Sequence, residues 1–180
     1  MSVTIAPPTL DDGAEFIAAV RESRPLHHPW VDTADTVERY VEYLERTTRT
    51  DHALFLVRHD TCGRLVGFIN INGIVFGSFR SGYLGYAAFS SHAGRGLMAA
   101  GLHRVLQTAF GPLALHRLEA NIQPHNAPSI ALVRRFGFQR EGISPRYLKV
   151  DGQWRDHERW ALTAEMWDPA RSPVGDAPVT

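Results

Sequence analysis

Cysteine is nearly missing from this sequence: Cys62 stands alone among 180 residues, so no internal disulfide can form and a reducing compartment is implied. It sits in Asp60-Thr61-Cys62-Gly63, which reads as a turn between two strands rather than as a nucleophile. Surplus charge is missing too, because nineteen Lys and Arg balance nineteen Asp and Glu. A general nucleic-acid or membrane-surface binder would lean on excess cations, so neither partner is expected. The local basic concentration is Arg134, Arg135 and Arg140. No apolar run approaches the roughly 20 residues that span a bilayer. The start, Met1-Ser2-Val3-Thr4-Ile5, has no basic region followed by an apolar stretch, so no signal peptide is expected. Repeats and low-complexity tracts are absent. These exclusions leave a soluble, cytoplasmic, single-domain protein as the expectation, with a length that suits one core better than two.

What is present is an alternation of strand and helix patterns. Val3 to Ala6 is a short strand closed by Pro7 and Pro8, and Thr9-Leu10-Asp11-Asp12 is a helix start with Thr9 as cap. Pro25 to Trp30 reads as a loop, and Asp35 to Arg49 as a second helix with Asp35 and Glu38 at capping-box spacing. Ala53–Val57 and Leu65–Ile71 form a hairpin, followed by a strand from Tyr83 to Phe89 and a helix from Leu97 to Phe110. A strand over Arg117–Ile122, a helix over Ala127–Phe136, and closing strands at Phe138–Ile143 and Trp154–Thr163 complete the series. This order predicts an α/β (α+β) domain over residues 1–167, with a mixed sheet flanked by helices. Residues 168–180 are Pro-, Gly- and Ala-rich and are expected to form a flexible tail.

The most informative segment runs from the Tyr83–Phe89 strand through Ala93-Gly94-Arg95-Gly96-Leu97-Met98 into a helix. A helix start offers unpaired N–H groups and the positive end of a dipole, which suits an anion. Gly94 and Gly96 let backbone approach that anion, and Arg95 adds charge. The Walker ending Gly-Lys-Ser/Thr is absent, as is the third glycine of the dinucleotide fingerprint. Taken alone, the spacing fits a phosphate loop or a plain strand-to-helix turn.

Further motifs follow in order: Gly85-Tyr86-Ala87-Ala88-Phe89 before the loop, then Leu115-His116-Arg117-Leu118-Glu119-Ala120, Asn126-Ala127-Pro128-Ser129, Phe136-Gly137-Phe138 and Glu141-Gly142. Together they resemble the GNAT superfamily of N-acetyltransferases from Val3 to about Met166. The closest resemblance is to the RimJ/RimL-like branch, which acetylates ribosomal-protein N-terminal amines, and to antibiotic-modifying relatives. The resemblance implies a splayed sheet with acetyl-coenzyme A as co-substrate and no metal. Pantetheine would insert between the Tyr83–Phe89 and Arg117–Ile122 strands, against backbone at Ala87, Ala88 and Phe89. The pyrophosphate would lie on Gly94, Arg95, Gly96, Leu97 and Met98. One departure is Ser91, where the family loop often carries Gln or Arg.

Acetyl transfer needs a neutral amine, a stabilised oxyanion and a proton for the departing thiolate. Asn126 and Ser129 are spaced as a helix cap, and the resemblance assigns Asn126 to pantetheine and the Ser129 hydroxyl to the acid. Other branches place a Tyr acid four residues on, where this chain has Val133. Glu119 matches a carboxylate that relatives use as base, often through water; a salt bridge to a neighbouring Arg is the other reading. A second family Glu is replaced by the Arg146-Tyr147-Leu148 segment. His27, His28 and Trp30 fall in the loop resembling the acceptor-binding loop, although loop histidines are commonly just solvated. His92 reads as packing or rim. Tyr147 is a further candidate for the acceptor site, Trp160 reads more strongly as core, and Asp156 reads as a contact for a cationic amine or as a turn. No metal-ligand spacing exists. The expected activity is direct attack of a primary amine on the thioester, the amine being a protein N-terminus or a small molecule. A succinyl-coenzyme A donor, a non-catalytic coenzyme A sensor and a homodimer stay open.

Overall fold

The computed structural model describes residues 2–170. Seven strands form one sheet: β1 (Val3–Ala6), β2 (Ala53–His59), β3 (Leu65–Val75), β4 (Ser81–Ala88), β5 (Arg117–Ile122), β6 (Gln139–Val150) and β7 (Gln153–Thr163). Their spatial order is β1-β2-β3-β4-β5-β7-β6. Every neighbouring pair is antiparallel except β4 and β5, which run parallel and are joined through the long helix α4 (Leu97–Phe110). The other helices are α1 (Gly13–Glu22), α2 (Arg24–His27), α3 (Val37–Glu45) and α5 (Ala127–Arg135). The mixed sheet and its helices agree with the expected fold class.

Two apolar clusters flank the sheet. On one face α4 buries Leu97, Leu102, Val105, Leu106 and Ala109 against Val57, Ile69, Leu118 and Leu162. A leucine-to-alanine change at Leu102 removes contacts worth roughly 2–5 kcal/mol. On the other face Phe16 of α1 and Tyr40 and Tyr43 of α3 pack on Phe68 and Phe89. Helix α4 lies close to the sheet because Gly67 lacks a side chain: a Cβ there would stand 2.3 Å from the Ala87 carbonyl oxygen and 2.7 Å from Met98 Sδ.

The feature that positions a site is a split in the sheet. β4 and β5 pair only from Ser81–Arg117 to Leu84–Ala120. Beyond that, Gly85 to Ala88 pair with β3 alone, and Asn121 and Ile122 with β7 alone. Parallel strands that part company leave backbone N–H and C=O groups facing the gap, and such groups need partners.

Three local expectations change. The segment Pro25–Trp30 is not all loop, because Arg24–His27 forms a helical turn with Pro25 near its start. The second helix begins at Val37, not Asp35: Thr36 accepts a hydrogen bond from the Arg39 N–H at 3.3 Å and is the actual cap. β6 continues seven residues past Ile143, through an irregularity between Ser144 and Leu148 where Arg146 has φ +48°. Its hairpin closes on Asp151-Gly152, both at positive φ, which is the backbone of a tight two-residue turn. The tail expected from residue 168 falls mainly on 171–180, outside the described residues.

Candidate active site

Two cavities meet at the split. The first, about 490 Å³, runs over the loop from His92 to Gly96, the first turn of α4 and one side of α5. Gly94 and Gly96 have φ of +74° and +75°, and nothing lies within 4 Å of a Cβ built on either. The left-handed backbone and the open space both favour glycine. Gly96 is the N-cap of α4 and provides no side-chain cap; the first intrahelical bond runs from the Ala100 N–H to the Gly96 carbonyl. The N–H groups of Leu97, Met98 and Ala99 therefore lack helical partners and border the cavity, with Arg95 and Arg135 beside them. Free N–H groups at a helix start, with two arginines close by, can hold an anion such as a diphosphate. His92 is buried, with Ser91 Oγ 2.9 Å from Nδ1; burial, then Arg95, keep its pKa below the ordinary value. It forms part of the wall.

The gap-facing edge of β4 follows from register. The Phe89 N–H donates to the Val66 carbonyl at 2.8 Å, so the alternation of an antiparallel pair turns Phe89 and Ala87 backbone toward β3. Phe89 is fully buried in the aromatic cluster. Its N–H is taken and its ring is core, which corrects its assignment to the cofactor. Tyr86 and Ala88 are the residues whose backbone faces the gap. His27 completes this edge: its Nε2 donates to the Ala88 carbonyl at 2.8 Å. Placed by the resemblance in the acceptor-binding loop, His27 is 6% exposed, and burial lowers its pKa below the ordinary value. It shapes the wall of the first cavity.

At the junction, Asn126 Oδ1 accepts from the Ser129 N–H at 3.3 Å and caps α5. The capping is thus done by Asn126, and the Ser129 side chain is left for another partner. That partner is Tyr86, whose hydroxyl lies 2.6 Å from Ser129 Oγ. Burial pushes the Tyr86 phenol up to about 12, so it keeps its proton. Tyr86, Asn126, Ser129, Trp30 and Val31 border both cavities. The role of the Tyr86 side chain had no signal in the sequence, because a tyrosine in a strand is common and its facing residue lies 43 positions away.

The second cavity, about 660 Å³, is bordered by β3, β4, β5, β6, β7, the segment after α2 and the start of α5. Tyr147 and Trp30, the candidates for the acceptor site, both line it. His28 does not: it lies 3.6 Å from Asp151 beside a smaller, charged depression, outside the lining of both main cavities. Glu119 borders neither cavity. It accepts a hydrogen bond from Arg117 Nε at 2.9 Å, and the same guanidinium holds Glu141 through two further bonds. Of its two readings, the geometry carries the salt bridge. Asp156 accepts from the Arg146 N–H at 2.7 Å, a turn role, and Trp160 is core under the Arg134 guanidinium. The sequence reading missed Asn72, Asn121 and His157, which border the second cavity. No group of three or more potential metal ligands occurs among the described residues.

Comparison with known proteins meets the same geometry. The chain is 41% identical over 107 residues to the [ribosomal protein uS5]-alanine N-acetyltransferase of Escherichia coli (strain K12), a match covering 59% of this chain and 55% of that protein. The chain thus spans about half the length of that relative. It superposes on Mycobacterium smegmatis RimJ in complex with CoA-disulfide with a TM-score of 0.84 and 31% identity, covering 91% of this chain and 82% of that one. The fold alone is shared with spermidine N-acetyltransferase from Vibrio cholerae in complex with CoA and spermine, at TM-score 0.78 and 20% identity, covering 91% and 96% of the two chains. Residues 2–139 match the acetyltransferase (GNAT) domain. With the split sheet, the glycine cradle and that match over most of its length, the chain belongs to the GNAT acetyltransferase family.

Proposed function

We propose that this protein transfers an acetyl group from acetyl-coenzyme A to a primary amine, and that the amine is the N-terminus of a protein. The observation that carries the reading is the meeting of a diphosphate cradle and a second cavity at one hydroxyl pair, Tyr86 and Ser129. Arg95, Arg135 and the unpaired N–H groups at the start of α4 would hold the diphosphate of the coenzyme. Bound acetyl-coenzyme A supplies a thioester, with an electrophilic carbonyl carbon and a thiolate as leaving group.

The chain's own groups then divide the work. The Ala88 N–H, on the gap-facing edge, is a donor for developing negative charge on an acyl oxygen. Ser129 Oγ gives a proton at the junction, and the Tyr86 hydroxyl, kept protonated by burial, replaces it. Trp30 and Tyr147 shape the acceptor side and exclude water. Positioning alone contributes much of the rate, so a short list of side chains suffices.

The charge of the second cavity favours a protein N-terminus over a polyamine. Asp32 is the one carboxylate among its described lining residues, and Lys149 opposes it. A polycation needs several carboxylates to replace its hydration, whereas a single terminal amine does not. The test is thiol release from acetyl-coenzyme A with an Ala-initiated peptide, spermidine and an aminated antibiotic as acceptors, and with succinyl-coenzyme A as second donor. Release that depends on the peptide is expected. Tight coenzyme A binding by calorimetry with no release for any acceptor would replace this reading with that of a sensor.

A further inference from the structure

Resting on this reading, we propose that His157 of β7 is the base that takes the proton from the attacking amine, and that it suits an α-amine better than an alkylamine. The ring lines the acceptor cavity that ends at Tyr86 and Ser129. His157 is 3% exposed. Its Nδ1 donates to the Arg155 carbonyl at 2.9 Å, which fixes the proton on that nitrogen and leaves the Nε2 lone pair without a partner among the described residues. A ring held by one nitrogen with the other turned to a cavity is the arrangement a general base requires. Strand alternation puts it on the same sheet face as Asn121, since Asn121 pairs with Arg159 two residues on. Asn121 Oδ1, and Asn72 Oδ1 across the cavity, are buried acceptors with no donor among the described residues. Asn72, Asn121 and His157 thus border one cavity, and each carries an acceptor without a donor among the described residues.

The charged neighbours set the strength of this base. Burial lowers the pKa of His157 below its ordinary value, and the Arg155 carbonyl and Asp156 oppose that shift only in part. On its own strand Arg155 and Arg159 flank it. From β6 come Tyr147, with ring centres 6.1 Å apart, and Lys149; Tyr83 of β4 and Asp32 of the segment after α2 face the same space. The group is therefore neutral at pH 7 and a weak base. That suffices for the step in question. The amine lone pair forms the N–C bond, and the nitrogen becomes acidic as it does so. Its proton passes to His157 Nε2, while the C–S electron pair leaves on sulfur, which takes a proton from Ser129 Oγ. The histidine then returns its proton through solvent to the hydroxyl pair. What a weak base cannot do is strip an alkylammonium before attack. An α-amine, at about pKa 8, is partly neutral already, whereas a lysine-type amine near about 10.4 is not.

The test compares His157→Gln and His157→Ala with the wild type on an Ala-initiated peptide. Loss of kcat by about 100-fold or more is expected, with peptide KM and coenzyme A affinity changed by less than about threefold. The wild-type rate should rise with pH through a limb below about 6.5, the ordinary histidine value, and the limb should be missing from His157→Gln. Unchanged kcat in a variant that binds coenzyme A normally overturns the proposal. Nitrogen-resolved NMR of the histidine ring is read independently of turnover. An Nδ1–H tautomer whose Nε2 signal moves when the peptide is added supports the base; an Nε2–H tautomer, or a ring blind to the peptide, overturns it. Should the wild type not acetylate the peptide, the functional reading fails by itself, and the NMR result alone decides His157.

Discussion

The two cavities are built in opposite ways. The heart of the first cavity is local: Ala93 to Ala99 is one run of chain, and it offers backbone N–H groups freed by a helix start and two left-handed glycines, with the β4 edge and α5 completing the walls. The second cavity is assembled from five strands, a loop and the start of α5, with Asn72, Asn121, Tyr147 and His157 each arriving from a different strand. Backbone recognition requires only glycine at the right places, so it tolerates change elsewhere. Side-chain recognition depends on every strand register and can be rewritten one residue at a time. On the proposed reading the co-substrate is met by the half that relies on backbone groups, and the choice of amine is left to the half assembled from side chains.

This contrast breaks most visibly at the shared wall. Ser129→Ala should lower kcat about 100-fold while the coenzyme A Kd from calorimetry stays within about twofold, because the hydroxyl moves a proton and the Asn126 cap uses only the Ser129 backbone. Tyr86→Phe combined with Ser129→Ala should lower it no further, since the tyrosine acts through the serine. Equal losses that add would place Tyr86 on the reacting atoms directly. On the cofactor side, Gly96→Val puts a β-branched residue at φ +75° and a side chain into the cradle. Coenzyme A affinity should fall roughly tenfold, about 1.4 kcal/mol, with the acceptor KM little changed. Unaltered affinity would remove the diphosphate from the start of α4.

The same contrast separates the features legible in the amino-acid sequence from those that are not. The fold class, the strand–loop–helix cradle and the Asn126 cap are short-range patterns, and each is where periodicity or spacing put it. The resemblance found the splay between β4 and β5, but not which residues of β4 face it: that depends on the Phe89–Val66 pairing, a contact between strands. The burial of His27 and its hydrogen bond to the Ala88 carbonyl, 61 residues away, had no signal either. The extension of β6, and with it the second-cavity wall around Tyr147 to Val150, did leave a signal, the Asp151-Gly152 pair between two strand-like runs. Asn72, Asn121 and His157 left none. An isolated amide or imidazole in a strand carries no pattern until pairing sets it beside the others.

On the acceptor side, Asn121→Leu should raise the KM for an Ala-initiated peptide about fivefold, the worth of one hydrogen bond of about 1 kcal/mol, and leave coenzyme A affinity alone. A change in coenzyme A affinity instead would mean that the two cavities are one functional space. Glu119→Gln should do least. Its carboxylate is tied to Arg117, which keeps Glu141 as a second partner, and the pair is partly exposed, so stability should fall by less than about 1 kcal/mol in a denaturant titration. The turnover number should stay within about twofold, because Glu119 lies outside the cavity that His157 lines. A hundredfold loss for Glu119→Gln with normal folding would require its carboxylate to reach the amine through water. Proton removal would then rest with β5 rather than β7, and the depressed His157 would have no proton to take.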